Sequence, residues 1–294
     1  DPVDRQVQIE TIAEWMGAML TRQSTKYQVA FVLNGGGSNG KSQFVVVVEG
    51  IVPAQRVTHF APQNLGGEYN RAKLAKAILN STAEVPATEV GDTVAATLKA
   101  LISGEPMTGR FPYENPFDFV PEAAVLLAAN TLPVIHDHTK GMWRRVKVID
   151  FNQEFSGQNV VRNLGEKILK AERVKIACWA LRHLPNLIAR GEYRDTQANI
   201  AAKERWQSAS DDVEQWIADA VDVSKQPDGT PCEPLYQCYR IWAESAGIDR
   251  GAILTKRKFF DRLKSKYKPY TGGPAAHRRV EYPLKIREGM SSVH

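Results

Sequence analysis

A glycine-rich loop between two apolar runs is the part of this sequence best suited to chemistry. Gly35, Gly40, Lys41 and Ser42 satisfy the pattern G-x-x-x-x-G-K-[ST] within FVLNGGGSNGKSQF. Glycines let backbone N–H groups turn toward phosphate oxygens, the lysine reaches the terminal phosphates, and the hydroxyl binds Mg²⁺. We therefore expect this loop to bind the triphosphate of ATP together with Mg²⁺. The residues predicted to contact the nucleotide are Gly35, Gly36, Gly37, Ser38, Asn39, Gly40, Lys41, Ser42 and Gln43.

The segments on either side of the loop fit this interpretation. Residues 27–33 form a short apolar and aromatic run that predicts a buried strand. A helix is expected from Lys41 to about Val52, where Pro53 ends it, although the valines at 45–48 are poor helix formers. The alternative is a simple glycine turn between two strands.

Other polar groups lie beside predicted buried strands. A phosphate loop is common to kinases, transport ATPases and helicases, so further groups must identify the reaction. Glu84 stands in NSTAEVP, Asn130 follows the apolar run at 123–129, and Arg144 and Arg145 open a strand in GMWRRVKVIDF. An acid, a polar group near the γ-phosphate and an arginine are the types that phosphoryl transfer requires.

Several motifs occur together in a fixed order. Four stretches together resemble superfamily 3 helicases. They are the glycine loop, LKALISGEPMTGRFPYENPFDFVP at 98–121, LAANTLP at 127–133 and the Trp-Arg-Arg stretch. The closest resemblance is to the phage and plasmid primase-helicases, the group that includes the poxvirus primase-helicase. It extends over residues 9–190 and, more weakly, to the C-terminal end. The resemblance implies an α/β, AAA+-like P-loop NTPase core. It also implies that this core forms a ring, usually a hexamer, with ATP sites between subunits, and that the ring moves 3′→5′ on single-stranded DNA.

The resemblance also implies roles at the nucleotide site. Lys41 and Ser42 match the Walker A motif, and Glu84 matches the Walker B carboxylate that polarises the attacking water or holds Mg²⁺ with Ser42. Many family members carry two adjacent acids there, whereas this chain has Ala83 before Glu84, and Glu89 is the remaining acid that could assist. The alternative is that Glu84 is only a solvated carboxylate at a strand end.

Two more roles follow from the resemblance. Asn130 matches sensor 1, and Arg145 matches the arginine finger that one subunit supplies to its neighbour's ATP, with Arg144 as the second choice. A finger requires a neighbouring subunit, so this role is also a prediction of assembly. The alternatives are a turn role for Asn130 and ion pairs of the arginines with Asp137 or Asp150.

A predicted hairpin is the candidate for DNA contact within the core. Residues 107–111 and 117–120 flank the turn-rich stretch PYENP, which predicts two paired strands. The resemblance implies that this hairpin points into the channel of the ring and that Lys99 lies in the motif before it. Its tip lacks the lysine often found there, so Arg110 or Lys99 would contact phosphate and Tyr113 would stack on a base or sugar.

The C-terminal end is basic. Twelve lysines and arginines but only three acids lie between Arg250 and His294, whereas the whole chain carries a net charge of +5. Three helices and a ribbon, predicted between residues 212 and 287, resemble the winged helix that follows the ATPase core in many phage primase-helicases. The alternative is a basic bundle that packs on its own core or on another protein. The predicted DNA contacts of this winged-helix-like domain are Lys256, Lys258, Arg278 and Arg279.

The 294 residues, 43% of them hydrophobic, allow two domains. We expect an N-terminal helical lead-in at 1–26, the core at 27–195 and the C-terminal domain at 205–294, because the intervening stretch is polar. Short apolar runs predict no membrane span, and three scattered cysteines favour the cytoplasm, or the host cytoplasm for a virus or phage. A first residue of Asp1 suggests a longer protein, with a primase or polymerase domain upstream.

Two functions of different classes fit these features. The first is an ATP-dependent DNA helicase, the motor part of a primase-helicase replication protein, that acts as a ring on single-stranded and forked duplex DNA. The second is an initiator module in which ATP drives assembly on an origin without processive unwinding. A small-molecule kinase is disfavoured because no acceptor-binding segment is evident and the basic C-terminal end would have no role.

Overall fold

The chain forms two compact units, Asp1–Ser210 and Asp211–His294. Helix α8 (Gln197–Ala209) belongs to the first unit. This helix buries few of its side chains, which makes its sequence resemble that of a linker. The computed structural model describes residues 2–137, 139–157, 160–224, 229–248, 250, 253–272 and 279–287.

A parallel sheet forms the centre of the first unit. Its five strands are β1 (Ala30–Asn34), β2 (Val57–Thr58), β3 (Leu79–Thr82), β6 (Ala124–Ala129) and β7 (Val146–Asp150). Their order is β2-β3-β6-β1-β7, and every neighbouring pair is parallel. Strand β1 is central, because Phe31 lies opposite Leu126 of β6 on one side and Lys147 of β7 on the other. The α/β prediction for this unit is confirmed.

Helices cover both faces of the sheet. The remaining helices of the unit are α1 (Pro2–Leu20), α2 (Ser24–Tyr27), α3 (Lys41–Gly50), α4 (Glu68–Leu74), α5 (Asp92–Ser103), α6 (Lys140–Trp143) and α7 (Leu164–Arg190). Phe31 and Leu33 of β1 pack with α1, α3 and α7, whereas Ala30 and Val32 pack with α5 and α8. Alternate strand residues point to opposite faces, so both faces of β1 are buried. Among the described residues, no helix has the length and apolar character needed to cross a membrane.

Helix α7 runs through Pro185 without interruption, although a proline within a helical pattern favours a break there. A proline inside a helix removes one hydrogen bond and crowds the carbonyl four residues earlier. Pro185 lies on the exposed side of α7, where water can bond that carbonyl. Ala180, Leu184 and Leu187 are buried on the other side, and their packing keeps the helix continuous.

The predicted hairpin is confirmed as β4 (Met107–Gly109) paired antiparallel with β5 (Phe117–Phe119). Gly109 packs closely on helix α4, because a Cβ at this position would come within 2.6 Å of the Ala72 Cα. The Arg71 Nε of α4 also donates to a β4 carbonyl oxygen at 2.9 Å. The hairpin is therefore fixed to α4 along the whole of its first strand.

The second unit has its own aromatic core. Its elements are α9 (Asp212–Ala220), β8 (Val221–Val223), β9 (Thr230–Pro231), α10 (Cys232–Ser245), α11 (Lys256–Lys266), β10 (Tyr270–Gly272), β11 (Arg279–Tyr282) and β12 (Leu284–Ile286). Strands β10, β11 and β9 form an antiparallel sheet in that order, and β12 pairs with β8. Trp216, Tyr239 and Phe259 are fully buried between the helices. Side chains of Asp211 and Thr255 cap α9 and α11.

The close packing of α1 on α7 generates a stability prediction. A Cβ at Gly17 would lie 2.6 Å from the Ala180 carbonyl oxygen and 3.1 Å from the Leu184 Cβ. Gly17→Val should therefore lower the free energy of unfolding by about 1–3 kcal/mol, measured by urea denaturation. Gly66→Val is the control, since a Cβ there meets no atom within 4 Å and the change should stay within about 0.5 kcal/mol. Equal stability of the two variants would contradict the packing.

Candidate nucleotide site

The glycine loop begins directly after β1 and ends at α3. Gly35 and Gly40 have φ angles of +153° and +86°, which side-chain-bearing residues rarely adopt. A Cβ at Gly35 would also lie 2.5 Å from the carbonyl oxygen of Phe151, the residue after β7. The loop path therefore depends on glycine at these two positions. At Gly36 and Gly37, in contrast, a Cβ would have no atom within 4 Å, so the backbone there faces open space.

Lys41 lies among the oxygen atoms of the loop. Its side chain is only 5% exposed, and its Nζ donates to the carbonyl oxygens of Gly35 at 2.5 Å and Gly36 at 2.8 Å and to the Asn39 Oδ1 at 3.1 Å. Burial lowers the pKa of Lys41, and the carboxylate of Glu84 acts in the opposite direction. A weakly solvated ammonium of this kind can exchange loop carbonyls for phosphate oxygens.

Asn39 organises the loop from inside. Its Nδ2 donates to the Gly36 carbonyl oxygen at 2.5 Å and to the Phe151 carbonyl oxygen at 3.1 Å. The loop is thereby tied to the end of β7. The side chain of Asn39 holds the loop, and its contact with a nucleotide stays a prediction.

The two residues after Lys41 differ in accessibility. Ser42 is exposed at the first turn of α3, where its hydroxyl can reach a bound ion. The Gln43 Oε1 accepts a hydrogen bond from the Gly165 backbone N–H at 2.8 Å. Gln43 therefore joins α3 to the start of α7 through its side-chain oxygen.

The carboxyl ends of the parallel strands meet beside the loop, which is where α/β sheets bind ligands. Glu84 follows β3 and Asn130 follows β6, both side chains are exposed, and the Asn130 Nδ2 lies 3.4 Å from the Glu84 Oε1. Both residues, with Thr131, line an open cleft. The sequence prediction placed these two groups on different strands, and the structure brings them into contact.

Mg²⁺ prefers hard oxygen ligands, and the hydroxyl of Ser42 and the carboxylate of Glu84 are of that kind. Within the described residues, no group of three or more His, Cys, Asp or Glu side chains could hold a metal ion. Phosphate oxygens and water would therefore supply most of the ligands. The donor set fits Mg²⁺ bound together with a nucleotide.

Sequence reasoning missed a charged pair at this edge. The Asn34 Nδ2 donates to the Asp150 Oδ1 at 2.7 Å, and the Arg205 guanidinium of α8 contacts the other carboxylate oxygen at 2.5 Å. Arg205 lies with Asn34 and Asn130 along a groove. Asp150 was considered as a partner of Arg144 or Arg145, but it pairs with Arg205. The spacing of Ala202 and Trp206, one helical turn apart, was the available signal for a packed α8.

The tandem arginines lie at the opposite end of β7. The Arg145 carbonyl accepts from the Ala30 N–H at 2.8 Å, so it stands at the start of β1, about 15 Å along the strand from the loop. Arg145 is 9% exposed, and its guanidinium donates to the Ser103 Oγ at 2.6 Å and the Gly141 carbonyl at 2.5 Å. Arg144 is exposed and donates to the Gln28 Oε1 at 3.0 Å. Only Arg144 is free to reach another molecule without unpacking its own subunit.

The predicted DNA contacts of the core differ in availability. Lys99 donates a hydrogen bond to the buried Asp137 at 2.5 Å. Burial raises the pKa of Asp137, but the hydrogen bonds from Lys99 and Thr139 outweigh this effect and lower the pKa below its ordinary value. Arg110 forms an exposed ion pair with Glu68 at 3.0 Å. Tyr113 is fully exposed at the hairpin tip, with a φ of +64°. Tyr113 and Arg110 are therefore accessible, whereas Lys99 is engaged.

The basic residues of the second unit are partly neutralised within it. Lys256 pairs with Glu233, and Arg279 lies 3.1 Å from Glu281. Lys258 is exposed on α11 beside Arg257. Arg278, also predicted to bind DNA, lies outside the described residues.

Solved structures with a similar fold exist. The A form of the NrS-1 C-terminal region superposes with a TM-score of 0.51 at 15% identity, over 87% of this chain and 56% of that one. Another structure of the NrS-1 C-terminal region has the same TM-score at 12% identity, over 94% of this chain and 71% of that one. This chain has an α/β fold consistent with a P-loop NTPase-like core that resembles this region.

Two sequence similarities are more local. Residues 33–145 match a family described as a family of unknown function, DUF5906. A protein of Acanthamoeba polyphaga mimivirus named "Putative helicase L207/L206" is 27% identical over 132 residues, which is 42% of this chain and 14% of that protein. The chain thus matches only a small part of the mimivirus protein and 56% of the first NrS-1 chain. These similarities are distant.

Proposed function

We propose that this chain is an ATP-driven DNA helicase, the motor part of a primase-helicase, that works as a ring of identical subunits, most simply a hexamer. The observation that carries the proposal is the phosphate loop with its buried Lys41, which faces Glu84 and Asn130 at the carboxyl edge of the sheet. The similarity to a mimivirus protein named as a helicase, and the fold likeness to the NrS-1 region, support this class.

Hydrolysis follows from the arrangement of the side chains. The ammonium of Lys41 draws the terminal phosphates onto the loop, where it neutralises charge that develops on the oxygens. Glu84 accepts a hydrogen bond from the attacking water, and the amide of Asn130, 3.4 Å from that carboxylate, fixes the position of both. Ser42 and Glu84 would hold Mg²⁺, which would supply Lewis-acid stabilisation of the charge on the phosphates.

We assign the finger to Arg144 rather than Arg145. A finger must extend from the surface of one subunit into the nucleotide site of the next, and Arg144 is the exposed member of the pair. Arg145 is held by Ser103 and Gly141 and would lose those bonds if it extended. Its role is to hold α5 against the segment that presents Arg144.

The DNA partners are single-stranded DNA and a forked duplex. The tip of the hairpin, with Tyr113 and Arg110, would contact the strand inside the ring, where aromatic side chains stack on bases. The winged-helix-like second unit, with α11 as its basic helix, favours a second candidate function, an initiator that assembles on DNA with ATP and does not unwind it. The helicase proposal includes a primase or polymerase domain upstream of this chain.

A forked-duplex assay separates the two functions. The native protein should separate the strands with ATP, and single-stranded DNA should accelerate hydrolysis. Lys41→Ala should abolish both nucleotide binding and unwinding, because the loop loses its only side-chain cation. ATP-dependent DNA binding with no strand separation by the native protein would favour the initiator.

Substitution of Arg144 and substitution of Arg145 should have different effects on stability and on ATP hydrolysis. Arg145→Ala should lower the free energy of unfolding by about 1–3 kcal/mol, since it removes charged hydrogen bonds to Ser103 and Gly141. Arg144→Ala should change it by less than about 0.5 kcal/mol while greatly reducing hydrolysis. Urea denaturation and ATPase rates measure the two effects, and normal hydrolysis by assembled Arg144→Ala would exclude the finger assignment.

Mixed assemblies test whether the finger acts between subunits. Lys41→Ala retains Arg144 but has no working loop, and Arg144→Ala retains the loop but lacks the finger. Each variant alone should be inactive, and their mixture should recover part of the DNA-stimulated ATPase activity, because some loops would then face an intact arginine. Lys41→Ala mixed with the double variant is the control. If a mixture shown to co-assemble recovered no ATPase activity, Arg144 would not act on the nucleotide of a neighbouring subunit.

A further inference from the structure

After β7 the chain returns to the phosphate loop. The Phe155 backbone N–H donates to the Ser38 carbonyl oxygen at 2.8 Å, which fixes this segment to the middle of the loop. The Phe155 ring is 42% exposed, and one of its carbons lies 3.8 Å from the position of a Cβ at Gly40. An aromatic face therefore stands beside the loop, directed toward solvent and held by a backbone contact.

Further apolar side chains follow Phe155 in the chain. Val160, Val161 and Leu164 are all exposed, although most large aliphatic residues of this unit are buried. The start of α7 is held against α3, since the Gly165 N–H bonds the Gln43 side chain and a Cβ at Gly165 would come within 2.8 Å of the Gln43 carbonyl oxygen. Val160 and Val161 thus belong to a short segment that starts at Phe155, which is fixed to the loop, and ends at Gly165, which is fixed to α3.

A nucleotide with its phosphates on this loop carries its base only one ribose further away. The phosphates need the polar backbone of residues 35–42, whereas the base offers two flat faces that favour aromatic and apolar contact. The exposed Phe155 ring, held 3.8 Å from the Cβ position of Gly40, offers such a contact beside the polar loop. The loop limits the partner of that contact to a group attached to the phosphates.

We propose that Phe155, with Val160 and Val161, binds the nucleobase of the nucleotide by stacking and apolar contact. The inference deepens the proposed function and rests on it, because it names the base-binding part of the same nucleotide site. These three side chains carry no hydrogen-bonding groups, so they select by stacking area and not by the base edge. Purine nucleotides should therefore bind better than pyrimidine nucleotides, with little difference between ATP and GTP from these residues.

Comparison of a ligand with a base and one without tests the proposal. In the full chain, Phe155→Ala should weaken ATP binding roughly tenfold, the usual size of one base–aromatic contact. Binding of inorganic tripolyphosphate should not change, since it uses only the loop. Phe155→Trp should retain affinity for ATP, and Phe155→Leu, which keeps apolar volume without the ring, should retain only part of it. Val174→Ala, at an exposed apolar position of α7, is the control.

Each other outcome overturns the proposal in a distinguishable way. An equal loss of ATP and tripolyphosphate binding in Phe155→Ala would mean that Phe155 only supports the loop. Equal affinity of the native protein for ATP and tripolyphosphate would exclude any base contact while leaving the phosphate loop, and the proposed function, intact. Failure of the native protein to bind either ligand would remove both this proposal and the proposed function.

Discussion

The parallel pairing of β1 with β6 and β7 is the constraint on which the site depends. Hydrogen bonds along both edges of β1 set the register, and burial of both its faces prevents the strand from slipping. Three strands consequently end at one edge, where the loop follows β1, Asn130 follows β6 and Asp150 is the last residue of β7. A shift of β1 by one residue would exchange its buried faces and turn the loop away from Glu84. The geometry of the candidate site is therefore set by the sheet and not by the loop alone.

The same pairing places two arginines at opposite edges of the sheet. Arg205 approaches the carboxyl edge from α8 and pairs with Asp150 in its own subunit, whereas Arg144 stands at the amino edge. A parallel sheet gives each subunit two distinct ends, one with the loop and one with an exposed cation. In the proposed ring, the amino edge of one subunit would meet the loop of the next in a head-to-tail contact.

Local sequence patterns predicted part of this arrangement. The glycine loop follows a known motif, and the continuous apolar run at 123–129 is typical of a buried strand, so the strand, loop and helix order and the strand at 124–129 were predicted. Arg205 was missed because α8 packs through few side chains and its charged surface looks like a linker. The burial of Arg145 depends on its contacts with Ser103, which is distant in sequence, and with Gly141, which lies on α6. No local sequence pattern therefore distinguishes Arg145 from Arg144. The continuity of α7 through Pro185 likewise comes from tertiary packing, which overrides the local preference.

Buried Arg145 connects the two functional parts of the core. Its guanidinium bonds Ser103 at the last turn of α5, and the chain enters β4 of the hairpin at Met107, only four residues later. Lys99 of the same helix bonds Asp137, which stands just before the α6 segment that carries Gly141. If Arg144 meets the nucleotide of a neighbouring subunit, any displacement of that segment must pull on α5 through these two charged contacts. Because only a short connection separates α5 from β4, the proposed movement on DNA would act on the hairpin through α5.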